Sequence, residues 1–166
     1  LKNEGILSSL YKFEGEYLSR GKINNNQFKT QYYKQHWVTK NKTKVVEMSF
    51  SNNLINIFQE PEELEHSRIK FNELYEYFDP ITSFLNILKG EKSVKTIDGR
   101  RVYIMKKTLS NKSDEMILMI EDYKNIWADH KRNDLKKIEF LMGGEKILPK
   151  KINIYFKNRV FKLKKI

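Results

Sequence analysis

The 166-residue sequence predicts a mainly β protein, one domain over residues 1–166, folded as a single antiparallel, strongly curved sheet or open half-barrel. Apolar and polar residues alternate with a period of two along most of the chain, which is typical of strands with one buried face. Pairs rich in Asn, Asp and Gly separate these segments at the short intervals expected of hairpins. One stretch, about residues 80–89, has helical spacing instead. A parallel sheet is not indicated, because the chain lacks the repeated strand–helix–strand order that such a sheet requires.

The predicted strands number about nine to eleven and lie between turn signals. In the first half, the turn at Asn24-Asn25-Asn26 leads into an aromatic strand over residues 28–38. Residues 65–77 are also expected to form a strand, because charged and apolar side chains alternate there. In the second half, Asp98-Gly99 is a preferred tight-turn pair and joins two predicted strands. The remaining strands are predicted over residues 13–17, 45–50, 54–58, 93–97, 101–109, 115–123, 135–142, 147–156 and 160–166.

The single helix is marked by its capping residues. Asp79 is a favourable N-cap, and Pro80 suits the first helical position, where a missing N–H costs nothing. Gly90 follows as the C-terminal cap. Four residues at helical spacing form one apolar stripe on this helix, namely Ile81, Phe84, Leu85 and Leu88. Because a helix of about ten residues is marginal in water alone, we expect the stripe to dock on the sheet.

Three motifs occur in the order and spacing of a known family. They are the helix-opening segment Phe78-Asp79-Pro80-Ile81-Thr82-Ser83-Phe84-Leu85, the hairpin Asp98-Gly99-Arg100-Arg101-Val102-Tyr103, and the closing element Ile147-Leu148-Pro149. Over residues 76–166 they resemble a family of exported bacterial envelope proteins, catalogued as domain of unknown function three-one-zero-eight. The resemblance implies a periplasmic or secreted antiparallel β protein similar to the half-barrels of lipoprotein carriers, and it implies no catalytic residues. The first residue is Leu1, and removal of a signal peptide would explain the missing Met.

The net charge of +11 is concentrated toward the C-terminus, where residues 131–166 hold twelve Lys or Arg against three Asp or Glu. A basic segment of this kind suits nucleic acid or an anionic surface. The candidate residues for an anionic partner are Lys150, Lys151, Lys157, Arg159 and Lys162. The alternative is a solvated charge pattern that protects strand edges, because most of the cations are Lys. Nucleic acid is the less favoured partner, since specific readers of bases prefer Arg.

The sequence carries no motif for enzymatic chemistry. Without Cys, the chain can form no disulfide, thiolate metal site or Cys nucleophile. His36, His66 and His130 lie in separate segments, without a second donor at metal-binding spacing. Gly143-Gly144 lacks the pattern of a phosphate-binding loop, and no Gly-x-Ser-x-Gly elbow occurs. We therefore predict a non-enzymatic protein without catalytic residues, metal or cofactor, and no apolar run is long enough to span a membrane.

The predicted shape has one functional consequence, because a curved sheet with a helix on its concave face can receive a guest. We expect Phe84, Leu85 and Leu88 to line that space. Tyr32 and Trp37 join them as ligand-binding candidates, since rings beside Lys residues hold sugars or unpaired bases, although sheets also use such rings for packing. The sequence thus predicts binding of a lipid, another apolar molecule or an envelope protein. Nucleic-acid or anionic-surface binding through the basic C-terminal third is the alternative.

Overall fold

The computed structural model describes residues 13–51, 54–64, 66–108, 110, 114–127, 134–143 and 149–164. Within those ranges it contains ten β-strands and one α-helix. Neighbouring strands pair antiparallel throughout, and they divide into one sheet of four strands and one of six. The prediction of a mainly antiparallel β fold with one short helix is therefore confirmed.

The first sheet is a meander of β1 (Phe13–Asn24), β2 (Gln27–Thr39), β3 (Thr43–Ser51) and β4 (Leu54–Glu60). Asn25 and Asn26 join β1 to β2, with φ angles of 45° and 60°. Two consecutive positive φ angles define the tight hairpin turn whose twist matches the flanking strands, and Asn tolerates that conformation. The predicted turn at this point is confirmed.

A β-bulge in β2 decides which residues of this strand face inward. Arg20 pairs with Tyr32 and Gly21 with Thr30, so that Gln31 stands between them without a partner across the ladder. The extra residue reverses the alternation, and both Thr30 and Tyr33 are consequently buried. Beyond the bulge, odd-numbered residues face the interior and even-numbered residues face solvent.

The second sheet follows the helix in sequence and runs in the order β10-β9-β8-β7-β6-β5. At its β5–β6 turn, the amide of Asp98 donates to the carbonyl of Arg101, and Gly99 has φ +83°. The predicted Asp98-Gly99 hairpin is thus confirmed. The strands are β5 (Ser93–Ile97), β6 (Arg101–Thr108), β7 (Glu115–Asn125), β8 (Leu135–Met142), β9 (Pro149–Phe156) and β10 (Arg159–Lys164).

Two details of the predicted fold differ from the structure. Instead of one continuous sheet, the described strands form two, and the described residues between β4 and Asp79 contribute only isolated bridges, at Ser67 and Phe78. The strand predicted over residues 65–77 is replaced by a single bridge at Ser67 and a 3₁₀ helix at Phe71–Glu73. The alternation of side chains correctly indicated that Ile69 and Phe71 pack against the core. It did not indicate the backbone conformation, because the backbone hydrogen bonds of residues 70–77 are formed in local turns.

The α-helix α1 (Pro80–Leu88) lies between the sheets and begins as predicted. The Asp79 carboxylate accepts hydrogen bonds from the amides of Ile81, at 2.9 Å, and Thr82, at 3.1 Å. The predicted apolar stripe is not its most buried face. The most buried residues are instead mainly polar, namely Thr82, Ser83, Asn86 and Ile87. Since both sheets contact the helix, two different faces of it are packed.

Asn86 ties this helix to the first sheet through the backbone of one residue. Its amide nitrogen donates to the carbonyl of Phe28 at 2.9 Å, and its amide oxygen accepts from the Phe28 N–H at 2.8 Å. A carboxamide contains the same donor and acceptor as a peptide group, so the side chain continues the hydrogen bonding of β2. Asn86 is 1% exposed, so these bonds form away from water.

We expect Asn86→Ala to lower the free energy of unfolding by about 2 kcal/mol, because both Phe28 backbone groups lose a buried partner. Urea denaturation followed by circular dichroism measures the loss. Asn56→Ala is the control, because Asn56 is exposed on β4. Equal stability of the two variants would contradict a role for Asn86 in holding the helix to the first sheet.

The core consists of two clusters of buried hydrophobic residues. One cluster joins the inner face of the first sheet to the β5–β6 end of the second sheet, with Tyr33, Met48 and Ile97 at its centre. The other lies under the helix on the second sheet and includes Ile87 and Leu118. The helix therefore lies beside both clusters, with Ile81 packed against the first and Ile87 part of the second.

Candidate binding site

The helix residues predicted to line a cavity mostly take part in core packing. The Phe84 ring stacks on the Phe140 ring with a centroid distance of 4.5 Å. Phe84 and Leu88 pack against the cluster between the helix and the second sheet, and Leu85 is half-buried. These contacts occupy the apolar surface that the sequence assigned to a guest.

Tyr32 and Trp37 do not share a site, because the β2 alternation places them on opposite faces of the first sheet. Tyr32 lies on the solvent face, where burial, followed by a hydrogen bond to Glu47, raises its pKa. Trp37 lies on the inner face beside Lys44, whose Nζ stands 5.6 Å from the centroid of the indole ring. The two predicted ligand residues are therefore separated by the thickness of the sheet.

The basic residues of the C-terminal third are also distributed. Lys151 and Lys162 share the solvent face of β9 and β10, opposite the side on which Ile152 packs. Lys150 lies at a register shift, and Lys157 lies in the β9–β10 turn, 3.6 Å from Asp134. Arg159 begins β10 and pairs with Phe156. The anionic partner predicted for these residues stays a prediction.

A cleft of about 440 Å³ opens elsewhere, between the start of β2 and the free edge of β5. Its volume lies within the range of small-ligand and peptide-sized sites. Most of its lining is polar, and one exposed ring, that of Tyr75, stands at its rim with 57% of the residue accessible. The lining residues are Gln27, Lys29, Tyr75, Glu76, Phe78, Glu91, Ser93, Val94 and Lys95.

Charges of both signs are paired along the walls of this cleft. Lys95 forms an ion pair with Glu76, and their hydrogen bond raises the pKa of Lys95 and lowers that of Glu76. The Nζ of Lys29 stands 4.9 Å from the centroid of the Phe78 ring. Because each charged form is stabilised by its partner, neither Lys95 nor Glu76 is suited to exchange protons near neutral pH.

The backbone of β5 supplies the most informative feature of the cleft. The amide of Phe78 donates to the carbonyl of Lys95 at 3.0 Å, and the amide of Ile97 donates to the carbonyl of Phe78 at 2.9 Å. These groups point away from β6. In an antiparallel pair the N–H and C=O of one residue point to the same side, so Lys95 N–H and both groups of Ser93 also face outward. In the described part of the chain, β5 has no further strand on that side.

Sequence reasoning missed this cleft because three distant segments build it. Residues 27–29, 75–78 and 91–95 are each unremarkable alone, and only the hairpin turn and the helix bring them together. One signal was available, since Tyr75 and Tyr77 flank Glu76 in a segment too polar for a central strand. The strand predicted over residues 65–77 concealed it.

Comparison with known proteins gives no relative, since no family model, no curated protein and no solved structure matches the chain. The resemblance in the second half therefore stays a prediction. No helix within the described ranges is long and apolar enough to cross a bilayer. Among the same residues, no three His, Asp or Glu side chains are arranged to hold a metal ion. What the fold and the cleft define is a two-sheet antiparallel β protein in which, among the described residues, a strand edge without a further strand borders a polar cleft.

Proposed function

We propose that this chain is a non-catalytic binding protein and that it receives an extended segment of a partner protein in the cleft beside β5. The observation that carries the proposal is that, within the described residues, both backbone groups of Ser93 and the N–H of Lys95 face that cleft without a strand partner. Extended peptides bind exposed sheet edges by adding a strand, with affinity from the main chain and specificity from flanking side chains. Phe78 already bridges the same edge, so extended backbone fits there.

The side chains around the edge favour a peptide over a purely apolar guest. A peptide presents charges, amides and rings together, and the cleft offers Lys29, Glu91 and the exposed Tyr75 ring to match them. Phe84 and Leu88, the residues expected to hold an apolar molecule, already pack in the core. Of the ligands predicted from the sequence, a partner protein is therefore better supported than a lipid or another apolar molecule.

The setting that we propose is the bacterial envelope. Support comes from the ordered motifs at residues 78–85, 98–103 and 147–149, which resemble those of an exported family. Fractionation of the native cells, with antibodies against this protein, tests the location directly. Detection only in the cytoplasmic fraction would overturn the envelope setting and leave the peptide cleft to be judged separately.

Peptide binding is tested with a displayed library of random heptapeptides selected on the folded protein. We expect the selected peptides, once synthesised, to shift the backbone amide signals of Ser93 and Lys95 in nuclear magnetic resonance spectra. Ser93→Pro removes an outward N–H at the first residue of an edge strand, where Pro is tolerated. We expect that variant and Tyr75→Ser each to weaken binding by about tenfold, which corresponds to roughly one lost hydrogen bond or ring contact.

Phe58→Ser is the matched control, because Phe58 is 58% exposed and lies on the solvent face of the first sheet. It should bind the peptides as the unchanged protein does. Selected peptides that bind Tyr75→Ser and Ser93→Pro normally, or a library that yields no binder, would overturn the proposal.

A further inference from the structure

A second cluster of functional groups lies at the opposite end of β2 from the cleft, where the β5–β6 turn docks on the first sheet. A Cβ atom placed on Gly99 would stand only 2.2 Å from Cγ1 of Val46, so the turn backbone lies directly against β3. Lys44 precedes Val46 by two residues and shares its inward face. Arg100 follows Gly99 in the turn, and Arg101 begins β6. We call Lys44, Arg100 and Arg101 the basic cluster.

The carboxylates near the basic cluster hold it loosely. Nη2 of Arg100 lies 3.5 Å from Oε2 of Glu63, and Nη1 of Arg101 lies 3.9 Å from Oδ2 of Asp98. Charge-assisted hydrogen bonds between such groups are about 2.7–2.9 Å long. The other oxygen of Asp98 is already used, because it accepts from the amides of Arg100 and Arg101. Three cations thus face two carboxylates, neither at full bonding distance.

The guanidinium of Arg101 stands 5.7 Å from the centroid of the Tyr123 ring, but two observations indicate that the positive charge of the cluster is only partly matched. Nε of Arg101 is buried and has no hydrogen-bond partner within the described residues, and the whole side chain is only 21% exposed. Buried donors are nearly always paired, so an unpaired one suggests that a further acceptor belongs there. Burial, followed by the charge of Arg100, lowers the pKa of Lys44.

We propose that the basic cluster is a binding site for a small anionic group of the carboxylate or phosphate class. The planar guanidinium of Arg101 suits the paired oxygens of either anion, and Lys44 adds a point charge. The ring of Trp37 forms an apolar wall beside Lys44. The site is independent of the peptide cleft, because Trp37 lies near the end of β2 and Gln27 begins it.

The test is a nuclear magnetic resonance titration of the protein with sodium acetate and, separately, inorganic phosphate, with the ionic strength held constant by sodium chloride. We expect the Nε–H signal of Arg101 and the indole signal of Trp37 to shift and saturate with at least one of these anions. The anion that binds more tightly, acetate or phosphate, shows whether the site prefers carboxylates or phosphates. We expect Lys44→Met to weaken that binding by about tenfold or more, as for other close charge pairs.

Lys22→Met is the matched control, because it removes the same charge from an exposed position on β1 and should leave binding unchanged. Arg100→Gln is the second variant, and it should weaken binding even if Lys44→Met folds poorly. Absence of a saturable shift with both anions would overturn the proposal. Equal weakening by Lys22→Met and Lys44→Met would do the same, because it would indicate only long-range attraction.

Discussion

Replacing Asp79 with alanine is expected to lower the free energy of unfolding by about 3 kcal/mol or more, the largest effect of any single polar residue here. Asp79 is fully buried. One carboxylate oxygen caps the helix through the amides of residues 81 and 82. The other accepts from the hydroxyls of Thr30, at 2.6 Å, and Ser19, at 2.9 Å. One side chain therefore starts the helix and fastens it to β1 and β2.

The expected size follows from the groups left behind. Loss of an N-cap alone costs about 1 kcal/mol, and each buried hydroxyl without its acceptor adds about 1–3 kcal/mol. Ser19 retains a hydroxyl partner in Thr82 at 3.2 Å, so most of the added loss falls on Thr30. Urea unfolding of Asp79→Ala, Asp79→Asn and Thr30→Val separates the contributions. A loss of only about 1 kcal/mol for Asp79→Ala would mean that the bonds to the first sheet contribute nothing.

Asp79 also illustrates which parts of the fold the sequence predicts. The cap, the proline after it and the asparagine turn at residues 25 and 26 are local features, set by residues within a few positions of one another. The alternation likewise identifies strands, because it depends only on which neighbours are apolar. The alternation cannot predict which residue binds the second carboxylate oxygen of Asp79, because that residue, Thr30, lies 49 positions away in the sequence.

The helix was the clearest local prediction and still misled about packing. Its apolar stripe suggested one buried face, whereas both sheets contact it and its polar residues are the more deeply buried. A signal existed, because Thr82, Ser83 and Asn86 are weak helix formers that compete for backbone hydrogen bonds inside a helix. Their presence in nine helical residues is best explained by partners elsewhere, such as Thr96, whose hydroxyl bonds to Ser83 at 2.8 Å.

The two candidate sites were beyond prediction for a different reason. Each forms where segments from both sheets meet, so that its residues are distant in sequence and carry no common spacing. From the sequence alone, Lys44 and Arg100 would each be interpreted as an ordinary surface cation. Ser93 would be interpreted as the first residue of an ordinary strand. Only the docking of the β5–β6 turn on the first sheet brings Arg100 close to Lys44. Likewise, only the position of β5 at the edge of the second sheet leaves the Ser93 backbone facing the cleft.

That docking makes Gly99→Ala the second change with a large expected effect, about 3 kcal/mol of lost stability. Gly99 has φ +83°, a conformation that strains any residue with a Cβ. Its position adds a steric conflict, since the new methyl would stand 2.2 Å from Cγ1 of Val46, which is only 1% exposed. Gly90→Ala is the control, with φ +125° but nothing within 4 Å of its Cβ, and should cost about 1–2 kcal/mol.

A double-mutant cycle separates the two causes. Val46→Ala removes the methyl group that the new Cβ would strike, so Gly99→Ala should cost less in that background than in the unchanged protein. We expect the difference to be about 1 kcal/mol or more, above the usual limit for independent sites. Urea unfolding of the four proteins measures it. Strict additivity would show that the backbone conformation alone accounts for the glycine, and that the turn does not lie against β3 closely enough to hold Arg100 beside Lys44.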